Sequence, residues 1–258
     1  MHIGQIIAGR YELGKRFESG SCSDVFLARD RKENKLVILK SVQNPYSEEA
    51  KILSELDQKG IVHLIDSWIS EDGIILVEEF FPGTSLKHYV QKRRMLSEEE
   101  TIRIAEEIGG ILLYLHARKP PIIYRDLKPD NLMIDTKGTI KLIDFGTAKK
   151  YVPRSDKDEI CIGTNGYAAP EQFRGSHCQS DARTDLYGLG ATMYFMLTGL
   201  DPEAEGGFPF PLSVLRKDIA PELCALVNKC LRKDPEQRCQ SAERFLYELD
   251  QCRKKGPF

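Results

Sequence analysis

The stretch of this sequence richest in reactive side chains is Tyr124-Arg125-Asp126-Leu127-Lys128-Pro129-Asp130-Asn131. Asp126 carries a carboxylate that can accept a proton, Lys128 a mobile positive charge, and Asn131 an amide oxygen. Asp144-Phe145-Gly146 begins eighteen residues after Asp126 and adds a second carboxylate. Carboxylate and amide oxygens are hard donors, suited to a hard cation that also coordinates phosphate. A third stretch, Gly163-Thr164-Asn165-Gly166-Tyr167-Ala168-Ala169-Pro170-Glu171, follows. Each is weak alone. Asp-Phe-Gly arises by chance, an Asp five residues before an Asn is commonly a loop, and Lys128 by itself reads as a solvated lysine.

Two kinds of element must position these groups. The first eighty residues read as strands: Arg10–Phe17, Asp24–Arg29, Lys35–Ser41, His63–Ile69 and Ile74–Phe80. Within them Ser47–Leu56 has helical spacing, with Ala50, Leu53 and Leu56 on one side. Pro82-Gly83 breaks the pattern. After it helices dominate. Ser97-Glu98-Glu99-Glu100 reads as a capping box, the serine accepting a free N–H and Glu100 reaching back. Ile102, Ala105, Ile108, Leu112 and Leu115 then form a buried stripe. Thr184–Leu197 is apolar nearly all round and is expected to be a central helix stopped by Gly199. Pro221–Leu231 and Ala242–Cys252 are further helices; Ile122–Tyr124, Leu132–Ile134 and Ile140–Ile143 read as short strands.

Composition bounds the function. The 258 residues, 41% hydrophobic and 29% charged, suit one large domain or two small lobes. A net charge of −2 argues against non-specific nucleic-acid binding. Cys22, Cys161, Cys178, Cys224, Cys230, Cys239 and Cys252 show no CxxC spacing, so no zinc site or disulfide framework is expected and a reducing, cytoplasmic setting fits. The N-terminus does not read as a signal peptide, and the apolar run from Gly188 to Leu200 is too short for a membrane span. Any membrane anchor would lie beyond residue 258.

The three stretches, in this order, resemble the catalytic loop, metal-binding motif and activation-segment end of protein kinases. Val37-Ile38-Leu39-Lys40 resembles the strand that carries the phosphate-binding lysine. The resemblance covers nearly the whole chain and leans toward the bacterial eukaryotic-like Ser/Thr kinases. It implies an α+β, two-lobed protein-kinase fold over residues 1–258: a small antiparallel N-lobe with one helix (about 1–81), a hinge (about 79–83) and a larger, mainly helical C-lobe (about 84–258). It further implies ATP as donor, Mg²⁺ or Mn²⁺ as cation, and protein Ser/Thr hydroxyls as acceptors.

Residue roles follow from the same resemblance. Asp126 orients the acceptor hydroxyl and takes its proton, and Lys128 neutralises the transferring phosphoryl group. Asn131 and Asp144 hold the metal. Lys40 holds the α/β-phosphates, with Glu49 as partner and Glu48 as competitor. Phe17, Gly20, Val25, Ile38, Glu78, Glu79, Phe81 and Met133 line the nucleotide. Glu79-Phe80-Phe81 matches the hinge, whose backbone reads the adenine edge. Asp185 is the acid that holds the catalytic-loop backbone, Arg238 the partner of Glu171, and Leu53, Leu64, Tyr124 and Phe145 the stacked apolar set. Tyr124 stands where a histidine is usual and keeps apolar bulk. Arg125 is expected to pair with a phosphate in the segment from Thr147 to Thr164, with Ser155 as the phosphorylated residue and Thr164 structural. The alternative is a segment ordered without modification.

Two departures matter. The glycine-rich loop keeps only Gly20, with Glu18 and Ser23 at the flanking positions and Cys22 at its tip. Glu78 falls at the back of the adenine pocket and Ile38 on the upper face of the ring. Glu78 is expected to compete with Glu49 for Lys40 or to accept a hydrogen bond from the adenine amino group; a register one residue off would put Val77 there instead. The favoured function is an autophosphorylating Ser/Thr protein kinase. The rivals are a pseudokinase scaffold, for which the altered loop speaks, and a small-metabolite kinase, against which the Gly163–Glu171 segment speaks.

Overall fold

The computed structural model describes residues 1–17, 23–44, 47–71, 73–153, 163–173 and 179–254. They fall into two compact units, Met1–Pro82 and Gly83–Phe258.

The first unit is built on strands β1 (Ile6–Ile7), β2 (Tyr11–Phe17), β3 (Ser23–Asp30), β4 (Lys35–Val42), β5 (Leu64–Ser70) and β6 (Gly73–Glu79), with helix α1 (Glu49–Ser54) between β4 and β5. They form one antiparallel sheet in the order β1-β2-β3-β4-β6-β5. Alternation along each strand sorts side chains to two faces. Tyr11, Leu13, Phe26, Ala28, Val37, Leu39, Ile75 and Val77 make the core of one face, with Ile7 and Trp68 packed on it. Cross-strand partners share the other: Phe17 opposite Val25, Val25 opposite Lys40, Lys40 opposite Leu76, and Ile38 opposite Glu78. On that face Val42, Ile74 and Leu76 pack with Ala50 of α1 and with Leu64.

Helix α1 is shorter than its spacing suggests. The Ser47 hydroxyl accepts the Glu49 N–H, and the N–H groups of Glu55 and Leu56 bond three residues back, to Ile52 and Leu53. The C-terminal end is thereby tightened out of the α-helical pattern.

The turn after β3 is held by Asp30, which is 2% exposed. Its carboxylate accepts from Arg10 Nε (2.9 Å) and Nη2 (2.6 Å) and from the N–H groups of Lys32 and Glu33. The Arg10 hydrogen bonds, reinforced by those turn N–H groups, lower the Asp30 carboxyl from 3.8 to about 2. A lowered carboxyl stabilises the fold fully above its ordinary value and stops doing so as pH falls toward 2. The stability lost on Asp30→Asn should therefore be largest above about pH 4 and shrink toward zero near pH 2. Melting temperatures across that range check it; a pH-independent loss would contradict it.

The second unit contains β7 (Thr84–Ser85), α2 (Leu86–Arg93), α3 (Glu98–His116), β8 (Ile122–Ile123), β9 (Leu132–Ile134), β10 (Ile140–Leu142), β11 (Lys149–Lys150), α4 (Ala182–Thr198), α5 (Leu212–Leu215), α6 (Pro221–Cys230) and α7 (Ala242–Lys254). Short 3₁₀ turns cover Pro129–Asn131, Pro170–Gln172 and Pro235–Gln237. β9 lies between β10 and β7, and β8 pairs with β11. The class is α+β, an antiparallel sheet with one helix in one unit and a mainly helical second unit.

Every residue from Thr184 to Leu197 is buried, so α4 is the central helix of this unit. Gly188 lets it approach the loop that follows β8, since a Cβ there would lie 2.8 Å from the Leu127 carbonyl oxygen. Gly199 ends it at φ 70°, a conformation that costs glycine nothing. At the head of α3 the Ser97 hydroxyl accepts the Glu100 N–H, but the Glu100 carboxylate does not close a capping box. It accepts the Tyr89 hydroxyl of α2 instead. No described helix is long and apolar enough to cross a membrane.

Candidate active site

The loop after β8 is shaped by hydrogen bonds to its own backbone. Asp185, in the first turn of α4 and 1% exposed, accepts the Arg125 N–H at 2.7 Å and the Tyr124 N–H at 2.9 Å. His116, the last residue of α3, brings its ring Nε2 to 2.8 Å from the same carboxylate. Arg125 takes φ 69°, a region strained for a side-chain-bearing residue. Its carbonyl accepts Gln172 Nε2 at 2.6 Å, and its Nε donates to the Thr147 carbonyl at 2.7 Å. The surroundings thus over-determine a strained conformation, as functional sites commonly do.

That backbone presents Asp126. Oδ2 accepts Asn131 Nδ2 at 2.9 Å and lies 3.0 Å from Lys128 Nζ, while Oδ1 accepts the Thr164 hydroxyl at 3.0 Å. Lys128 also donates to Thr164 Oγ1 at 2.6 Å. Asn131 Nδ2 donates a second time, to the Asp126 carbonyl, so the amide nitrogen is turned inward and the amide oxygen is the end left to offer.

Asp144, exposed and at φ 62°, follows a residue fixed from both sides. The Ile143 N–H donates to the Asn131 carbonyl at 3.0 Å, and the Ile143 carbonyl accepts the Tyr124 hydroxyl. Tyr124 therefore contributes a hydrogen bond beyond the apolar bulk expected of it. Its ring also meets Phe145 edge-on, with centroids 5.1 Å apart.

In the first unit Lys40 Nζ lies 2.7 Å from Glu49 Oε1, both side chains buried, while Glu48 is exposed. Glu78 is 5% exposed and shares the Lys40 face; Val77 lies in the core of the opposite face. The Glu79 carboxylate accepts the His63 N–H, and its own N–H pairs with the His63 carbonyl, both at 2.9 Å. Phe81 and Met133 are half-buried. Gly20, with Glu18 and Cys22, and Ser155, with Arg154, lie outside the described residues.

The protein kinase domain family model matches residues 11–248. The chain belongs to the protein kinase family. It is 30% identical to a probable serine/threonine-protein kinase of Clostridium perfringens over 98% of this chain and 39% of that protein. It is 31% identical to one of Streptomyces coelicolor, over 95% and 40%. It is 29% identical to the serine/threonine-protein kinase PrkC of Bacillus subtilis, over 94% and 40%. The chain thus spans about two-fifths of the length of these relatives.

Several residues that shape the kinase domain carry no local signal. His116, Thr147, Gln172 and Thr184 act through partners far along the chain. Glu171 forms a buried fork with Arg238, two bonds of 2.7 Å, and also accepts the Thr184 hydroxyl at 2.9 Å. Lys87 of α2 lies 3.3 Å from Asp130, 3.1 Å from Asp201 and 3.6 Å from Glu203. The Tyr167 hydroxyl donates to Asp201 at 2.9 Å; burial, and then the Asp201 charge, push its pKa upward. Apart from the Arg238–Glu171 pair, which the resemblance implied, nothing in the sequence flagged these.

Proposed function

We propose that this kinase domain transfers the terminal phosphoryl group of ATP to serine and threonine hydroxyls of protein substrates. The observation that carries the reading is the Asp126–Asn131–Lys128–Thr164 cluster. It fixes a carboxylate by three neighbours, so that Asp126 can orient an acceptor hydroxyl and receive its proton. The acceptor oxygen bonds to the terminal phosphorus, the bond to the bridging oxygen breaks, and ADP leaves. Lys128 offsets charge on the phosphoryl oxygens. Lys40, held by Glu49, takes the α/β-phosphates.

The donor set fits a divalent cation. Asn131 has its amide oxygen to give, and Asp144 has an exposed carboxylate, both hard donors of the kind Mg²⁺ or Mn²⁺ takes. Such a cation, when bound, neutralises phosphate charge. We read Arg125 as the residue that would meet a phosphate placed on the segment containing Ser155 by autophosphorylation. The described cysteines Cys224, Cys230, Cys239 and Cys252 are free and buried, which suits work in the cytoplasm.

The retained Lys40, Glu49, Asp126, Asn131 and Asp144 count against a scaffold without transfer activity, and the relatives' names favour a protein over a metabolite acceptor. Incubation with terminally labelled ATP, Mg²⁺ and a generic basic protein tests the proposal. Label on serine or threonine of that protein is expected. Nucleotide binding with no transfer under either Mg²⁺ or Mn²⁺ would sink it.

A further inference from the structure

Thr164 donates to the Asp126 carboxylate and accepts from Lys128, so the turn that carries it must keep register with the loop that carries them. Inside that turn the Thr164 carbonyl accepts the N–H groups of Tyr167 at 3.0 Å and of Ala168 at 2.8 Å. Whatever holds Tyr167 therefore holds Thr164. Tyr167 is 2% exposed, and its hydroxyl donates to Asp201 Oδ1 at 2.9 Å, in the stretch just after α4. Gly166, at φ 83°, lies against the same stretch. A Cβ on it would come within 2.5 Å of the Pro202 carbonyl oxygen and 2.6 Å of the Glu203 nitrogen. Turn and stretch thus meet backbone to backbone, beside the Tyr167–Asp201 bond.

Asp201 is itself fixed. Oδ1 also accepts the Glu203 N–H at 3.1 Å, which wraps the stretch around the carboxylate, and Oδ2 lies 3.1 Å from Lys87 Nζ. The same Lys87 ammonium lies 3.3 Å from Asp130, which stands between Lys128 and Asn131 in the loop. The contacts close a ring. It runs from Asp126 to Thr164, through the turn to Tyr167, then to Asp201, Lys87 and Asp130, and back along the loop to Asp126. A hydroxyl bonded to a carboxylate is one of the stronger hydrogen bonds, and this one lies in the ring away from the reacting groups.

We propose that Asp201 is a positioning residue for phosphoryl transfer. Acting through Tyr167, it sets the Thr164 hydroxyl against Asp126 and Lys128, and so fixes the direction in which the Asp126 carboxylate faces an acceptor. Lys87 and the Glu203 N–H hold Asp201 in place; Tyr167 transmits its position. This deepens the transfer reading and rests on it.

The test is steady-state kinetics on the intact chain with labelled ATP, Mg²⁺ and a generic basic protein. Asp201→Ala and Tyr167→Phe each remove the Tyr167–Asp201 bond. Each is expected to lower kcat by about tenfold to a hundredfold, the scale at which misplacement of reacting groups is felt. The KM for ATP should stay within about twofold, since Lys40, Asn131 and Asp144 are untouched. The double variant should be no slower than the slower single one, because both changes remove the same bond. Asp201→Asn keeps an oxygen for the Tyr167 hydroxyl, and Lys87 keeps Asp130 and Glu203, so it should recover most of the activity that Asp201→Ala loses. Amide hydrogen exchange at Tyr167 and Ala168 should quicken in Asp201→Ala and Tyr167→Phe but not in Asp201→Asn. Melting curves check folding, and Tyr167→Phe, which removes a single oxygen, carries the test if Asp201→Ala does not fold. Near-wild-type kcat in Tyr167→Phe, a loss in Asp201→Asn equal to that in Asp201→Ala, or losses that multiply in the double variant would each overturn the proposal while leaving the transfer reading intact. Absence of turnover in wild type would instead sink the transfer reading, and this proposal with it.

Discussion

Asp126→Asn is expected to lower kcat by about 10²- to 10⁴-fold, the range that a positioned general base contributes. The fold should survive, because asparagine can satisfy the same neighbours. Its amide oxygen can accept from Asn131 and Lys128, as Oδ2 does now, and its amide NH₂ can donate to Thr164 Oγ1. What is lost is the ability to take a proton. Asp144→Asn should cause a comparable loss by removing the metal-binding charge, with part of the activity returning at higher cation concentration. Turnover and melting temperature of both purified variants decide the matter. Near-wild-type kcat in Asp126→Asn would remove the assigned role of the carboxylate.

The largest stability effect is expected at Asp185. Asp185→Ala leaves the Tyr124 and Arg125 N–H groups without their acceptor in a buried setting and takes the carboxylate from His116. Each orphaned buried donor costs about 1–3 kcal/mol, so a total of about 2–6 kcal/mol is expected for the two. Arg125 also loses one of the bonds that hold its φ of 69°, so Asp126 is no longer aimed and kcat should fall with stability. Denaturant unfolding measures the first and steady-state kinetics the second. A loss below about 1 kcal/mol with normal kcat would show that the loop holds its shape without this anchor.

The Arg238–Glu171 fork belongs to the same class of contact. Its two ends lie 67 residues apart, and the bonds from Asp185 to Tyr124 and to His116 span 61 and 69. Asp185 and Arg238 were legible in the sequence only through resemblance to kinases; His116 and Gln172 were not legible at all. Helix α2 escaped notice because it buries only Leu86 and Val90, a single i,i+4 pair with no stripe around it. Glu100 departs from its local pattern for a related reason. A capping box is a local pattern, and the carboxylate found a better partner in Tyr89 eleven residues back.

The sequence by itself determined the strands that carry Phe17, Val25, Ile38, Lys40 and Glu78, the apolar run that makes α4 the buried helix, and the order of motifs that marks the family. These are signals of period and adjacency, and burial writes them directly into the residue pattern. The tertiary structure alone decided the ends of α1, the departure of Glu100, the positive φ at Arg125 and Asp144, and the convergence of His116, Gln172 and Thr147 on the loop that Asp185 holds. Such contacts close long stretches of chain, and packing repays their entropy only once the helices and strands have met. No local spacing can therefore encode them.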